Sequence, residues 1–122
     1  MYRRRRTVLD KYSLIRKAEI RGAARIRGFM KKIAKKYGVS ESILEPSISQ
    51  VITSGSDYLI VWELPASTWQ NYPEYDRAFK ELAKEFNATV REQETYRGKH
   101  IKKFFSVPHE VVWEKFGIKS GE

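Results

Sequence analysis

The chain contains no cysteine. Disulfide staples, thiolate zinc sites and cysteine nucleophiles are therefore excluded together, and stability must come from packing and ion pairs. No apolar run approaches the roughly 18 residues needed to span a bilayer, and the charged N-terminus lacks the apolar centre of a signal peptide. A soluble, cytoplasmic protein with no membrane partner is the expectation. Asparagine and glutamine are scarce, limited to Gln50, Gln70, Asn71, Asn87 and Gln93, while Lys, Arg and Glu abound. That balance leans toward a heat-adapted source.

Catalytic signatures are sparse as well. The chain has no glycine-rich phosphate loop with its lysine and hydroxyl, and no helical histidine pair flanking a glutamate. His100 and His109 are its two histidines. Glu92 and Glu94 share one face of a strand, and His100 across a hairpin joins them as a metal ligand if the register allows. A metal-dependent nuclease would use such a cluster to hold Mg²⁺ against the scissile phosphate. The simpler reading pairs the two carboxylates with Lys99, Lys102 or Lys103 on a solvated face. No resident metal or other cofactor is expected.

What the chain does have is positive charge gathered at one end. Residues 1–38 carry fourteen cations against Asp10 and Glu19, a net +12, and the other 84 residues carry ten cations and thirteen anions, a net −3. A field so concentrated attracts a polyanion, whereas scattered basicity mainly keeps a protein soluble. Residues 1–8 form an arginine-rich arm with little to bury, expected to be disordered. From about Leu9 the spacing becomes helical: Tyr12, Ile15, Gly22, Ala23, Ile26, Phe29, Met30, Ile33 and Tyr37 gather in one stripe. Gly22 and Gly28 each cost about 1 kcal/mol of helix stability relative to alanine, so a bend is possible there. Gly38 supplies a C-terminal stop.

The remaining chain alternates strand and helix signals. Residues 47–54 and 58–64 are β-branched and aromatic runs around Gly55-Ser56-Asp57, a hairpin signature, and residues 58–62 are apolar on both faces, as a central strand requires. A helix is expected from about Pro73 to Phe86, with Asp76–Lys80 and Arg77–Glu81 as i,i+4 pairs on its outer face. A second hairpin, residues 89–96 and 99–107, turns at Arg97-Gly98, and a short helix closed by Gly117 comes after it. One α+β domain fits: a long basic N-terminal helix, then strand-strand-helix-strand-strand-helix, with a four-stranded antiparallel sheet covered by helices on one face. Its organisation divides into the arm at 1–8, the basic amphipathic helix and connector at 9–45, and the α+β part at 46–122.

Three features bear on nucleic acid. Arginine and lysine pair with phosphates, and the cations so placed are Arg3, Arg4, Arg5, Arg6, Arg16, Lys17, Arg21, Arg25, Arg27, Lys31, Lys32 and Lys35. Residues 33–44 look like the middle of a helix-turn-helix, with Ala34, Gly38 and Val39 at the right spacing. The helix that should read the groove would present Glu41 and Glu45, however, and Pro46 stops it, so a plain helix end with a serine-capped turn is the competing reading. Arg97 to Phe105 mixes cations with aromatics, as single-strand binders do, though Phe104, Phe105, Trp62, Trp69 and Trp113 also suit a core.

The sequence therefore points to a small non-enzymatic protein that binds nucleic acid, double-stranded DNA before RNA, through sequence-independent phosphate contacts, in packaging or accessory regulation. A homodimer through the first helix is a further expectation, because Ala18, Gly22, Ala23 and Gly28 permit close helix contact. The alternatives are a module docking on an acidic protein, and a metal-dependent nuclease built on Glu92, Glu94 and His100.

Overall fold

The computed structural model describes residues 8–119, with side chains from residue 12 onward. Helix α1 (Val8–Tyr37) leads through a 3-10 turn (Glu41–Leu44) into strands β1 (Ser49–Ser54) and β2 (Asp57–Pro65). Helices α2 (Ala66–Asn71) and α3 (Pro73–Glu85), strands β3 (Arg91–Thr95) and β4 (His100–Pro108), and helix α4 (His109–Phe116) complete the order. The strands form one antiparallel sheet, β1-β2-β4-β3, so the doubly apolar strand β2 is internal, as its sequence requires. Strand alternation turns Tyr58, Ile60, Trp62 and Leu64 toward the helices, and all four are buried.

The inner face of α1 belongs to the same core as the sheet. Ala18, Ile26, Met30, Ile33 and Ala34 are buried, and Met30 Sδ accepts hydrogen bonds from Trp62 Nε1 at 3.3 Å and Ser49 Oγ at 3.4 Å. Beyond Trp62 the aromatic packing continues through Phe79 and Phe105, with ring centroids 5.0 and 5.3 Å apart. The apolar stripe is shorter than its spacing implied: Tyr12 is 63% exposed and Ile15 37%. β2 first meets the helix at Ala18 and Glu19, so the earlier turns run past the end of the sheet.

That first meeting is made by Tyr58. Its Oη donates to the Glu19 carbonyl at 2.8 Å and accepts from Trp113 Nε1 at 3.0 Å, while its ring packs on His109, centroids 4.4 Å apart. His109 Nε2 is 3.1 Å from the Asp57 carbonyl. Burial raises the Tyr58 pKa above its ordinary value, against the opposing hydrogen bond from Trp113, so the hydroxyl keeps its proton and its donor role. Gly22 makes the approach possible: a Cβ there would lie 2.1 Å from Tyr58 Oη.

The sequence carries no periodic signal for α2, because in six residues only Trp69 is buried. The Trp69 indole donates to the Ile101 carbonyl at 3.0 Å and ties this turn to β4.

The two helical glycines are predicted to respond oppositely to alanine. Gly28 has nothing within 4 Å of a built Cβ, so Gly28→Ala should stabilise by about 1 kcal/mol through helix propensity. Gly22→Ala should destabilise by about 1–3 kcal/mol through overpacking against Tyr58. Urea unfolding of both variants checks this, and stabilisation by Gly22→Ala would contradict the packing described.

Candidate nucleic-acid interface

The end of α1 decides between a DNA-reading turn and a simple stop. Gly38 adopts φ +67°, Val39 N–H donates to the Ala34 carbonyl at 2.8 Å, and Gly38 N–H to the Lys35 carbonyl at 3.3 Å. This crossed pair is the glycine-terminated Schellman closure, with Ala34 and Val39 both buried beneath it. The chain then makes one 3-10 turn capped by Ser40, whose Oγ accepts from Ser42 N–H at 3.3 Å. No second α-helix is present at the helix-turn-helix position, because Pro46 and the short Glu41–Leu44 turn end it. The resemblance over residues 33–44 reflects a helix end alone.

Packing of the inner face fixes what the outer face presents. Arg16, Lys17, Arg21, Arg25, Arg27, Lys31, Lys32 and Lys35 are all exposed. Helical spacing puts Arg21, Arg25 and Lys32 on one flank and Arg16, Arg27 and Lys31 on the other, with Lys17 and Lys35 near the crest at either end. Between the flanks lie Ala24 and Gly28, with Ile20 set within the Arg16, Arg27 and Lys31 flank; all three are exposed and none has a hydrogen-bonding side chain. Arg3, Arg4, Arg5 and Arg6 lie outside the described residues. Of the small residues considered for dimer contact, Ala18 and Gly22 are buried within the chain, Ala23 is half-buried, and Gly28 is open.

Carboxylates draw few of these cations inward. Arg16 reaches Glu19 at 3.3 Å within the helix, and Arg25 lies over the Phe116 ring at 5.9 Å. Among the described residues, no salt bridge joins Lys17, Arg21, Arg27, Lys31, Lys32 or Lys35 to a carboxylate. Three acidic groups of α3 are engaged elsewhere. Glu81 takes Lys36 at 2.7 Å rather than the expected Arg77, Asp76 sits between Lys80 and Lys103, and Glu85 meets Lys115 at 3.0 Å. The hydrogen bond with Glu81 raises the Lys36 pKa and lowers that of Glu81, so this cation is neutralised within the fold. No protein-family model, curated protein or solved structure matches the chain, so its function is read from these residues directly.

The other candidates are dispersed. Register pairs Thr95 with His100 and Glu94 with Ile101, which puts His100 on the opposite sheet face from Glu92 and Glu94. Glu92 instead lies 3.9 Å from Lys103, and no group of three potential metal ligands occurs among the described residues. Trp62, Trp69 and Phe105 are core side chains, whereas Trp113 and Phe104 are half-buried. No described helix is long and apolar enough to cross a membrane.

Acid should act on the internal pairs. Burial tends to raise the Asp76 pKa, but hydrogen bonds from Lys103 and Lys80 outweigh it and hold the carboxyl below its ordinary value. A depressed carboxylate stabilises above its unfolded pKa and loses that stabilisation as pH falls through the folded one, here below about pH 4. Asp76→Asn is predicted to cost about 1 kcal/mol at neutral pH and to flatten the acid limb of stability. Unfolding titrations from neutral to acid pH check it, and an acid limb unchanged by the substitution contradicts it.

Proposed function

We propose that this protein binds nucleic acid, duplex DNA in preference, by sequence-independent phosphate contacts from α1 and the arginine-rich arm. The observation that carries this reading is the exposed cation face of α1, eight residues strong, in which Arg16 alone has a carboxylate partner among the described residues. Thirty helical residues extend about 45 Å, long enough to meet several phosphates at a spacing of about 1.7 Å of duplex axis per charge.

The chemistry of the face argues for backbone contact. Guanidinium and ammonium groups on two flanks suit phosphates on either side of a groove, while at mid-helix Ala24 and Gly28 between them offer base edges no donor or acceptor. Such binding fits packaging or an accessory role, where coverage matters more than site choice.

Six to eight phosphate contacts imply a slope of log affinity against log salt of about −5 to −7. Neutralising Arg21, Lys31 and Lys35 together with glutamine should weaken duplex binding and make that slope shallower by about 2 to 3. Fluorescence anisotropy across a salt series measures both quantities. Affinity and slope unchanged from the parent protein would refute the assignment of phosphate contacts to α1.

A further inference from the structure

A groove lies away from the crest of α1, where β2 leaves the sheet and the β3–β4 hairpin turns. Its volume is about 870 Å³, and its apolar lining is Ile48, Leu64 and Pro65. Its rim carries Tyr96, Arg97, Lys99 and His100. Tyr96 is 68% exposed and meets the His100 ring edge-on, centroids 5.1 Å apart. Glu63 is the carboxylate of the groove, and it accepts from Thr95 Oγ1 at 2.8 Å.

The hairpin turn is unusual in its backbone. Tyr96 and Arg97 both take left-handed conformations, φ +52° and +56°, ahead of Gly98 at +84°. A side chain with a Cβ resists that region, and asparagine or glycine would relieve it, so a bulky ring and a guanidinium here are against local preference. Residues kept in such conformations gather at ligand clamps. The groove is also joined to α1 through one segment: Ser47 and Ile48 line it, while the next residue, Ser49, lines a small cleft with Arg27 and Lys31.

We propose that this groove takes an unpaired nucleotide of a DNA strand held on the flank of α1. The base packs against the open Tyr96 ring over Leu64 and Pro65, and its phosphate meets Arg97 and Lys99. An aromatic ring accepts any base by stacking, and the adjacent cations complement the phosphate. The inference rests on the nucleic-acid reading of α1 for the polymer, and adds a preference for duplex ends or openings that expose single strand.

The test compares a blunt duplex with the same duplex bearing a short thymidine overhang, at one salt concentration, by fluorescence anisotropy. The overhang should tighten binding about tenfold, the contribution of a single stacked base. Tyr96→Gly should abolish that advantage while keeping blunt-duplex affinity, since glycine accepts φ +52° without strain and the hairpin stays folded. Tyr96→Phe should retain the advantage. Equal affinity of the parent protein for both probes, or an overhang advantage that survives Tyr96→Gly, overturns the groove proposal and leaves duplex binding intact. Tyr96-dependent binding of the overhang probe without blunt-duplex binding does the reverse, and a protein that binds neither probe defeats both.

Discussion

The rotation of α1 about its own axis is set where Tyr58 meets the helix at Gly22. The tyrosine hydroxyl enters the space a Cβ would fill, donates to the Glu19 carbonyl, and accepts from Trp113 of α4. One side chain on an internal strand therefore binds two helices and leaves α1 only one face to turn inward. Met30 repeats the arrangement about two turns beyond Gly22 with Ser49 and Trp62. With both points fixed, the cations of α1 project outward on a rigid scaffold, and this separates an oriented surface from a merely basic tail.

The same helix breaks a local rule. Lys17–Arg21, Arg21–Arg25, Arg27–Lys31, Lys31–Lys35 and Lys32–Lys36 are like-charge pairs at i,i+4, each unfavourable by about 0.2–0.5 kcal/mol. An isolated helix of this sequence would be poor; burial of its inner face sustains it. Placing Glu81 beside Lys36 relieves one of those pairs, whereas the rest keep their repulsion. Local disagreement with a global fold concentrates at functional surfaces, and a polyanion would remove this one. Elsewhere Asp76 and Glu85 of α3 are matched to Lys80, Lys103 and Lys115, whereas on the outer face of α1 Arg16 alone meets a carboxylate among the described residues.

Periodicity made most of the fold legible. The 3.6-residue stripe of α1, the doubly apolar run of β2 and the glycine stops at Gly38 and Gly117 are local signals, and each has its counterpart in the structure. Non-local facts were hidden. Gly22 and Gly28 look alike in sequence, yet one is crowded by a residue 36 positions away and the other is open. The exposure of Tyr12 and Ile15 depends on where β2 begins, and the partner of Glu81 on how α1 lies beside α3. The groove at Tyr96 is hidden for the same reason: the sequence marks the turn at Arg97-Gly98 and carries no signal that Tyr96 and Arg97 adopt left-handed backbone beside Leu64 and Ile48.

The central claim is that a polyanion contacts one defined face of α1. Lysine-reactivity footprinting with a blunt duplex tests it residue by residue, because acetylation of each ammonium reports its access to solvent. The account predicts that DNA shields Lys17, Lys31, Lys32 and Lys35, while Lys80 and Lys84 on α3 retain their free-protein reactivity. Equal shielding of all these lysines, or shielding confined to α3, would contradict it.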